Sequence, residues 1–422
     1  MGHLLLVESW VGSMSALLPR GIRESGHRFS FLTRDLQHYL RSKPTAGTHP
    51  LLGADNLLTF ETNDVPELLD HLSALQPVLG FDGVLSSCDY YLATAARAAQ
   101  RLGLPGAPPE AVERACAKDR TRLALREAGV PGPAFALAET ASGLEEAAEA
   151  LGYPLVVKPV DLCAGMFVRE VDGPAALREA YAALRDFPVN ARGQQRSPVV
   201  LLEELLTGPE VSVETVTAGG RTTVVGVTDK SIAGAPWFVE TGHMFPAALD
   251  PGTEAEVTRT AVAAIEALGL DHVVGHTEIK ITPAGPRVVE VNPRPAGNQI
   301  TELIRRVTGI DLAAVHAQLA LGEEFDLQRV NTGAASAAIA FLLPPREGVL
   351  AEVRGTERLR SDPAVVDWSV KPAGHRTGPA TSNNNYLGHV MVTSDRPGAA
   401  RARAESMIAG LDVRYATAEA AA

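Results

Sequence analysis

The chain has 422 residues, and 38 basic against 50 acidic side chains leave a net charge of −12, so neither a single small module nor a basic nucleic-acid binder suits it. Hydrophobic residues at 45% and charged residues at 21% support buried cores in two or three units rather than a disordered tail. The longest apolar stretch, residues 334–343, is far short of the roughly 20 residues a membrane helix needs.

The start, Met1 to Glu8, has no basic segment and reaches a carboxylate early, which points to a cytoplasmic protein. Cys88, Cys116 and Cys163 fit neither a disulfide framework nor a metal knuckle, so reduced thiols are expected. Small-molecule partners are favoured over nucleic acid or a membrane.

Residues 3–7, 28–33, 57–60 and 83–87 read as strands, with helical stretches such as 66–75 between them, a parallel βαβ pattern. The first turn, Glu8-Ser9-Trp10-Val11-Gly12-Ser13-Met14-Ser15, lacks the GxGxxG spacing of a dinucleotide site. Leu104-Pro105-Gly106-Ala107-Pro108-Pro109 punctuates the chain, and one mixed helix is expected over 111–128, ending at Gly129. Strands at 155–159, 199–203, 210–216, 222–228, 273–281 and 287–291 then include hairpin-like pairs, an α+β grammar. Val257, Ala261, Ala264, Ile265 and Leu268 form one apolar stripe on a helix that closes at Gly269. An alanine-rich stretch at 398–410 follows a strand at 389–393, suggesting a βα element that returns to the main body. The expected units are 1–115, 116–325 with a small lid at about 125–205, and 326–422.

Residues 276–294 carry the most chemistry. Two alternating strands flank Pro283-Ala284-Gly285-Pro286, which predicts a hairpin. Centred on Ala284, it puts Glu278 opposite Glu290 and His276 opposite Asn292. Opposed residues have Cβ atoms about 4.5–5.5 Å apart, and like charges there need neutralising. Carboxylate and amide oxygens suit Mg²⁺, and Arg294 would extend the same face. A solvated hairpin face is the competing reading, since a one-residue slip would separate the glutamates.

The order Lys118, Lys158-Pro159, Glu203-Glu204-Leu205-Leu206, Gly208-Pro209-Glu210, Glu278 and Glu290-Val291-Asn292-Pro293-Arg294 resembles the ATP-grasp superfamily of carboxylate ligases over roughly residues 105–325. The first hundred residues resemble the Rossmann-like domain that precedes ATP-grasp modules. Thr228-Asp229-Lys230, Phe238 to Pro246 and His276 to Lys280 look most like ligases that join amino acids, of the bacilysin and dapdiamide synthetase kind.

That resemblance implies a fold that is α/β in the N-terminal Rossmann-like domain and α+β in the ATP-grasp domain. It implies Lys118 and Lys158 on nucleotide phosphates, the segment of Glu203, Glu204 and Leu206 reading the adenine edge through its backbone, and Glu210 on the ribose. It implies Glu278, Glu290 and Asn292 as ligands of Mg²⁺, as two ions, with Mn²⁺ as an alternative. Glu240 and His243 would border the acceptor site, Arg294 and Gly297 would close over the reacting carboxylate, and Asn298 would contact substrate. The implied activity is ATP-dependent joining of a small carboxylic acid to an amine or amino acid through an acyl phosphate. A biotin-carboxylase or purine-biosynthesis type of ATP-grasp enzyme, and a nucleotide-binding protein without turnover, are the alternatives; a homodimer is compatible with all of them.

The candidate lid loop Asp161-Leu162-Cys163-Ala164-Gly165-Met166 keeps a single glycine. Cys163 has no base at a recognisable spacing and is not expected to be a nucleophile. His272, His316 and His375 read as structural, and Asn383-Asn384-Asn385 as a polar turn.

Overall fold

The computed structural model describes residues 1–41 and 49–416. The N-terminal unit is a four-stranded parallel sheet in the order Asn56–Thr59, Arg28–Thr33, His3–Val7, Gly83–Leu85. His3–Val7 is buried at every position, as a strand covered on both faces must be. Leu4 and Leu6 pack with Leu18 and Ile22 on one side, and Leu5 and Val7 pack with Leu68 and Leu72 on the other. Each such side chain contributes about 1.5–3 kcal/mol by leaving water.

The helix expected over 111–128 is two helices, Pro109–Cys116 and Lys118–Glu127. Ala117 between them is extended (φ −107°, ψ 110°). This frees the Lys118 N–H to donate to Val160 O at 3.0 Å, a tertiary bond that overrides helical propensity. The break places Lys118 at the first helical position, beside the end of the Leu155–Pro159 strand.

A small antiparallel sheet follows, in the order Phe135–Ala138, Val200–Glu204, Leu155–Pro159, Arg169–Val171. Helices Ala141–Leu151 and Pro174–Arg185 share its core through Leu144, Leu155, Leu177 and Leu202. The largest sheet has eight strands: Gly285–Asn292, Val273–Thr282, Glu210–Ala218, Arg221–Ile232, Glu240–Phe245, Ser336–Leu342, Gly388–Ser394 and Val365–Val370. The Gly388–Ser394 strand thus joins this sheet, and the Ala400–Ala409 helix packs against it through Ala400 and Ala404. Helix Pro251–Leu268 buries Val257, Ala261, Ala264, Ile265 and Leu268 and ends at Gly269, whose φ of +69° suits glycine. Among the described residues no helix is long and apolar enough to cross a membrane.

Candidate active site

The hairpin of Val273–Thr282 and Gly285–Asn292 sets the geometry. Its turn is one half-step from the expected centre: Thr282 pairs with Gly285 and Lys280 with Arg287. Carried on unchanged, that register would put Glu278 opposite Val289 and turn the glutamates to different faces. A bulge intervenes, so that Ile279 pairs with Val288 but Glu278 pairs with Glu290 and His276 with Asn292. The extra residue, Val289, is used: its carbonyl accepts from Arg122 Nη2 at 2.6 Å. The opposed pair is present because the bulge restores it.

Each of the two carboxylates is neutralised by a lysine. Lys118 Nζ lies 3.0 Å from Glu290 Oε1 and donates to Leu162 O at 2.6 Å. Burial works against the charge of Lys118, but Glu290 outweighs it and holds the ammonium above the usual lysine range. Lys230 Nζ meets Glu278 Oε1 at 2.6 Å, Glu240 Oε1 at 3.0 Å and Glu210 Oε1 at 3.2 Å, with its side chain 1% exposed. Burial would raise Glu240 and Glu278, but Lys230 dominates and keeps both carboxyls well below the usual range.

His276 closes this side. Its ring bonds Glu214 Oε1 at 2.8 Å and Glu278 Oε1 at 3.2 Å. Burial disfavours the imidazolium, yet these two bonds push it up to about 9. Glu214 also accepts from Ser212 Oγ and Thr228 Oγ1, so its buried charge is fully met.

The expected acceptor residues lie together. Glu240 accepts from Asn298 Nδ2, and His243 Nε2 is 3.2 Å from Glu240 Oε2. That approach is off-line for a hydrogen bond, and neither ring nitrogen of the buried His243 has a hydrogen-bond partner among the described residues. Phe341 meets the His243 ring edge-on and stacks on Tyr386. Asn298 holds φ +46°, an uncommon conformation that presents its amide to Glu240. Gly297 precedes it with open space where a Cβ would stand.

Other expected residues are elsewhere. The Glu203 side chain, 3% exposed, is engaged by Arg122 and by Lys158 Nζ at 2.6 Å. Burial would raise its carboxyl, but Arg122 and then Lys158 bring it down to about 2. Its carboxylate is therefore committed within the protein, which leaves the backbone of the segment rather than this side chain for the expected adenine edge, and Lys158 is tied to it. Glu204 is exposed and accepts from Ala134 N at 3.1 Å, and Leu206 follows in the connection to Glu210. Glu210 pairs with Lys280 at 3.2 Å as well as with Lys230.

Arg294, expected on the phosphate face, donates from Nε to Asp89 Oδ1 at 2.8 Å and from Nη1 to Pro295 O at 3.0 Å, with Nη2 paired with the same Asp89 oxygen at 2.8 Å. Trp10 Nε1 donates to the other Asp89 oxygen at 2.6 Å. Asp89, Lys118, Cys163, Glu290 and Asn292 line one small cavity. Burial pushes the Cys163 thiol up to about 12, in keeping with a non-nucleophilic cysteine.

Sequence reasoning passed over three members of this constellation. Lys230 was visible only as part of a Thr-Asp-Lys run; its signal is parity, since it pairs with Glu210 on one side and His243 on the other. Asp89 is 205 residues from Arg294 and gave no local cue. Asn383 accepts from Glu240 N at 3.0 Å through Oδ1, and its own N–H donates to Ala164 O at 3.1 Å, so the polar turn links the lid loop to the acceptor strand.

Among the described residues no group of three or more His, Cys, Asp or Glu is arranged to hold a metal ion. Glu278, Glu290 and Asn292 nevertheless form a hard-oxygen set facing each other across the hairpin, which fits an ion that takes its remaining ligands from phosphate and water.

Residues 151–303 match the ATP-grasp domain family, and residues 25–106 match the ATP-grasp N-terminal domain. The chain is 30% identical over 338 residues to the uncharacterized protein y4rH of Sinorhizobium fredii (strain NBRC 101917 / NGR234), covering 79% of this chain and 68% of that one. This chain belongs to the ATP-grasp family. Its residues 340–416 also match the second C-terminal domain of L-amino acid ligases. Carnosine synthase 1 of Gallus gallus is 34% identical over 317 residues, 71% of this ATP-grasp chain, which spans only 33% of that relative. The fold follows the L-amino acid ligase of Bacillus licheniformis with a TM-score of 0.82 at 23% identity, over 99% of each chain.

Proposed function

We propose that this chain is an ATP-dependent carboxylate–amine ligase that makes an amide or dipeptide bond, with an amino acid as one substrate. The observation that carries the reading is the opposed Glu278–Glu290 pair with a lysine on each carboxylate. Similarity to L-amino acid ligases in the C-terminal domain and overall fold supports it. On this reading the units are 1–115, 116–325 and 326–422, the setting is cytoplasmic, and the partners are small molecules.

Glu278, Glu290 and Asn292 would hold Mg²⁺, as one or two ions with Mn²⁺ as a substitute, which when bound neutralises the ATP phosphates and polarises the γ-phosphorus. Lys118 and Lys230 exchange their carboxylate partners for phosphate oxygens. Lys158, fixed by Glu203, and the 203–210 segment border the nucleotide. The acid's carboxylate oxygen attacks the γ-phosphorus, ADP leaves and an acyl phosphate forms.

The incoming amine must then lose a proton. His243 Nε2, 3.2 Å from Glu240 Oε2 and without a hydrogen-bond partner among the described residues, takes it, and Glu240 offsets the imidazolium. Asn298 and Gly297 border the substrate. Arg294, held by Asp89 and by the Pro295 carbonyl, offers its remaining N–H groups to the tetrahedral oxyanion before phosphate is expelled. With ¹⁸O in the acid's carboxylate, one label should appear in inorganic phosphate, and release of ADP should require both acid and amine. Label in AMP overturns the acyl-phosphate route.

A further inference from the structure

The turn around residue 192 makes contacts that ligase chemistry does not call for. Val189 and Gln195 pair as a bridge, and Asn190 Oδ1 accepts from the backbone N–H groups of Arg192 (2.9 Å) and Gln194 (3.1 Å). Gly193 holds φ +76°, completing a stiff tip on the small antiparallel unit.

That tip inserts into the N-terminal unit. The Arg192 guanidinium, on a residue 6% exposed, donates from Nη2 to Ser9 O and from Nη1 to Tyr39 Oη at 3.3 Å. It lies over the rings of Trp10 (5.6 Å) and Tyr39 (5.4 Å), near enough for cation–π attraction. In return, the Arg192 carbonyl accepts from Arg34 Nη1 at 2.7 Å and Asn63 Nδ2 at 2.9 Å. Glu8 does not depend on this contact. It lies 3.8 Å from Arg192 but accepts from Tyr39 Oη, Thr33 Oγ1, Thr62 Oγ1 and Arg34 N at 2.6–3.0 Å.

Two paths lead from the tip to the reaction centre. Trp10, under the guanidinium, donates to Asp89, and Asp89 takes Arg294. On the other flank, Arg196 Nε and Nη2 hold Asp161 Oδ1 at 3.2 and 3.1 Å, and Ser197 N donates to Asp161 Oδ2 at 2.6 Å. Asp161 opens the loop whose Leu162 carbonyl receives Lys118.

We infer that Arg192 is a positioning residue: seated in the Ser9–Trp10–Tyr39 recess, it locks the small unit to the N-terminal sheet and thereby fixes both Arg294 and the 161–166 loop. The inference rests on the proposed ligase reading only for what Arg294 does, not for the lock itself. Lysine would be an incomplete replacement, since a point donor cannot serve Ser9 O and Tyr39 Oη together.

The test is hydrogen exchange on the full chain, which needs no turnover. Arg192→Gln should speed exchange of amides in 161–166 and 189–197 by about 10-fold or more, Arg192→Lys by less, with the 273–292 hairpin unchanged. Unchanged exchange in both segments overturns the lock. In acid- and amine-dependent ADP release, Arg192→Gln should lower kcat about 10-fold or more. Trp10→Phe, which removes the donor to Asp89 but keeps a ring, should lower kcat with the KM for ATP unaltered. The two effects should combine to less than their product; a full product overturns the Trp10 path. A wild-type chain without such ADP release refutes the ligase reading, while exchange still decides the lock.

Discussion

Replacing Lys230 with methionine keeps most of the stem's volume but removes the ammonium on which Glu210, Glu240 and Glu278 converge. Stripping one partner from a buried ion cluster usually costs about 3–5 kcal/mol. Here each carboxylate keeps a second partner: Glu210 keeps Lys280, Glu278 keeps His276 and Glu240 keeps Asn298. The loss should therefore lie at the lower end, about 3 kcal/mol.

Urea unfolding followed by circular dichroism measures it. Because Lys230 depresses Glu240 and Glu278, the deficit should be full above pH 4.5, the unfolded glutamate value, and narrow below it. Glu240→Gln sharpens the test. In the wild-type chain it removes a paired charge and destabilises; in the Lys230→Met background it removes an uncompensated one and should restore about 1 kcal/mol. A Lys230→Met deficit under about 0.5 kcal/mol, the range of an ordinary surface change, refutes the hub. So does a Glu240→Gln effect of the same sign in both backgrounds.

Glu290→Gln should preserve the hairpin, weaken Mg²⁺-dependent nucleotide binding and lower turnover by about 100-fold or more; an unchanged rate across a Mg²⁺ titration excludes Glu290 from the metal set. Arg294→Lys can keep one contact to Asp89 but loses the fork, so kcat should drop by about 100-fold while the Kd for Mg-ATP changes little. Near-normal turnover would remove Arg294 from the chemistry. The imidazolium of His276 titrates near 9 in the folded chain against 6.5 unfolded, so its stabilisation is complete below pH 6.5 and vanishes as pH climbs through 9. That contribution is roughly 3 kcal/mol, and the stability advantage of wild type over His276→Gln should shrink across this window; an advantage independent of pH contradicts it.

Period-two and period-3.6 patterns exposed the parallel N-terminal strands, the Pro251–Leu268 helix and the glutamate hairpin, because each answers to burial of its own residues. The break at Ala117 was hidden, since it comes from a bond to Val160 formed only after the chain folds. Glu203 looked like a free acid at a strand end, and only the arrival of Arg122, 81 residues earlier, shows that it is committed. Asp89 and Arg192 were unreadable for a related reason. Their meaning lies in partners from other units, and composition around them looks like ordinary surface.

The bulge at Val289 acts as a frame setter for everything that follows it. Its side chain can be exchanged, because what the fold uses at that position is a main-chain carbonyl for Arg122. Losing the residue altogether would let Glu290 step into its place opposite Glu278 in an unbroken ladder, so the glutamate pair would survive while Arg122 loses that carbonyl. Gaining a residue is what the frame does not absorb: with one added between Val289 and Glu290 and the bulge kept, Glu278 would face the newcomer, and Glu290 and Asn292 would turn to the opposite face. Variation at 289 should therefore be wide in residue type and closed to insertion, a constraint written in chain count rather than in chemistry.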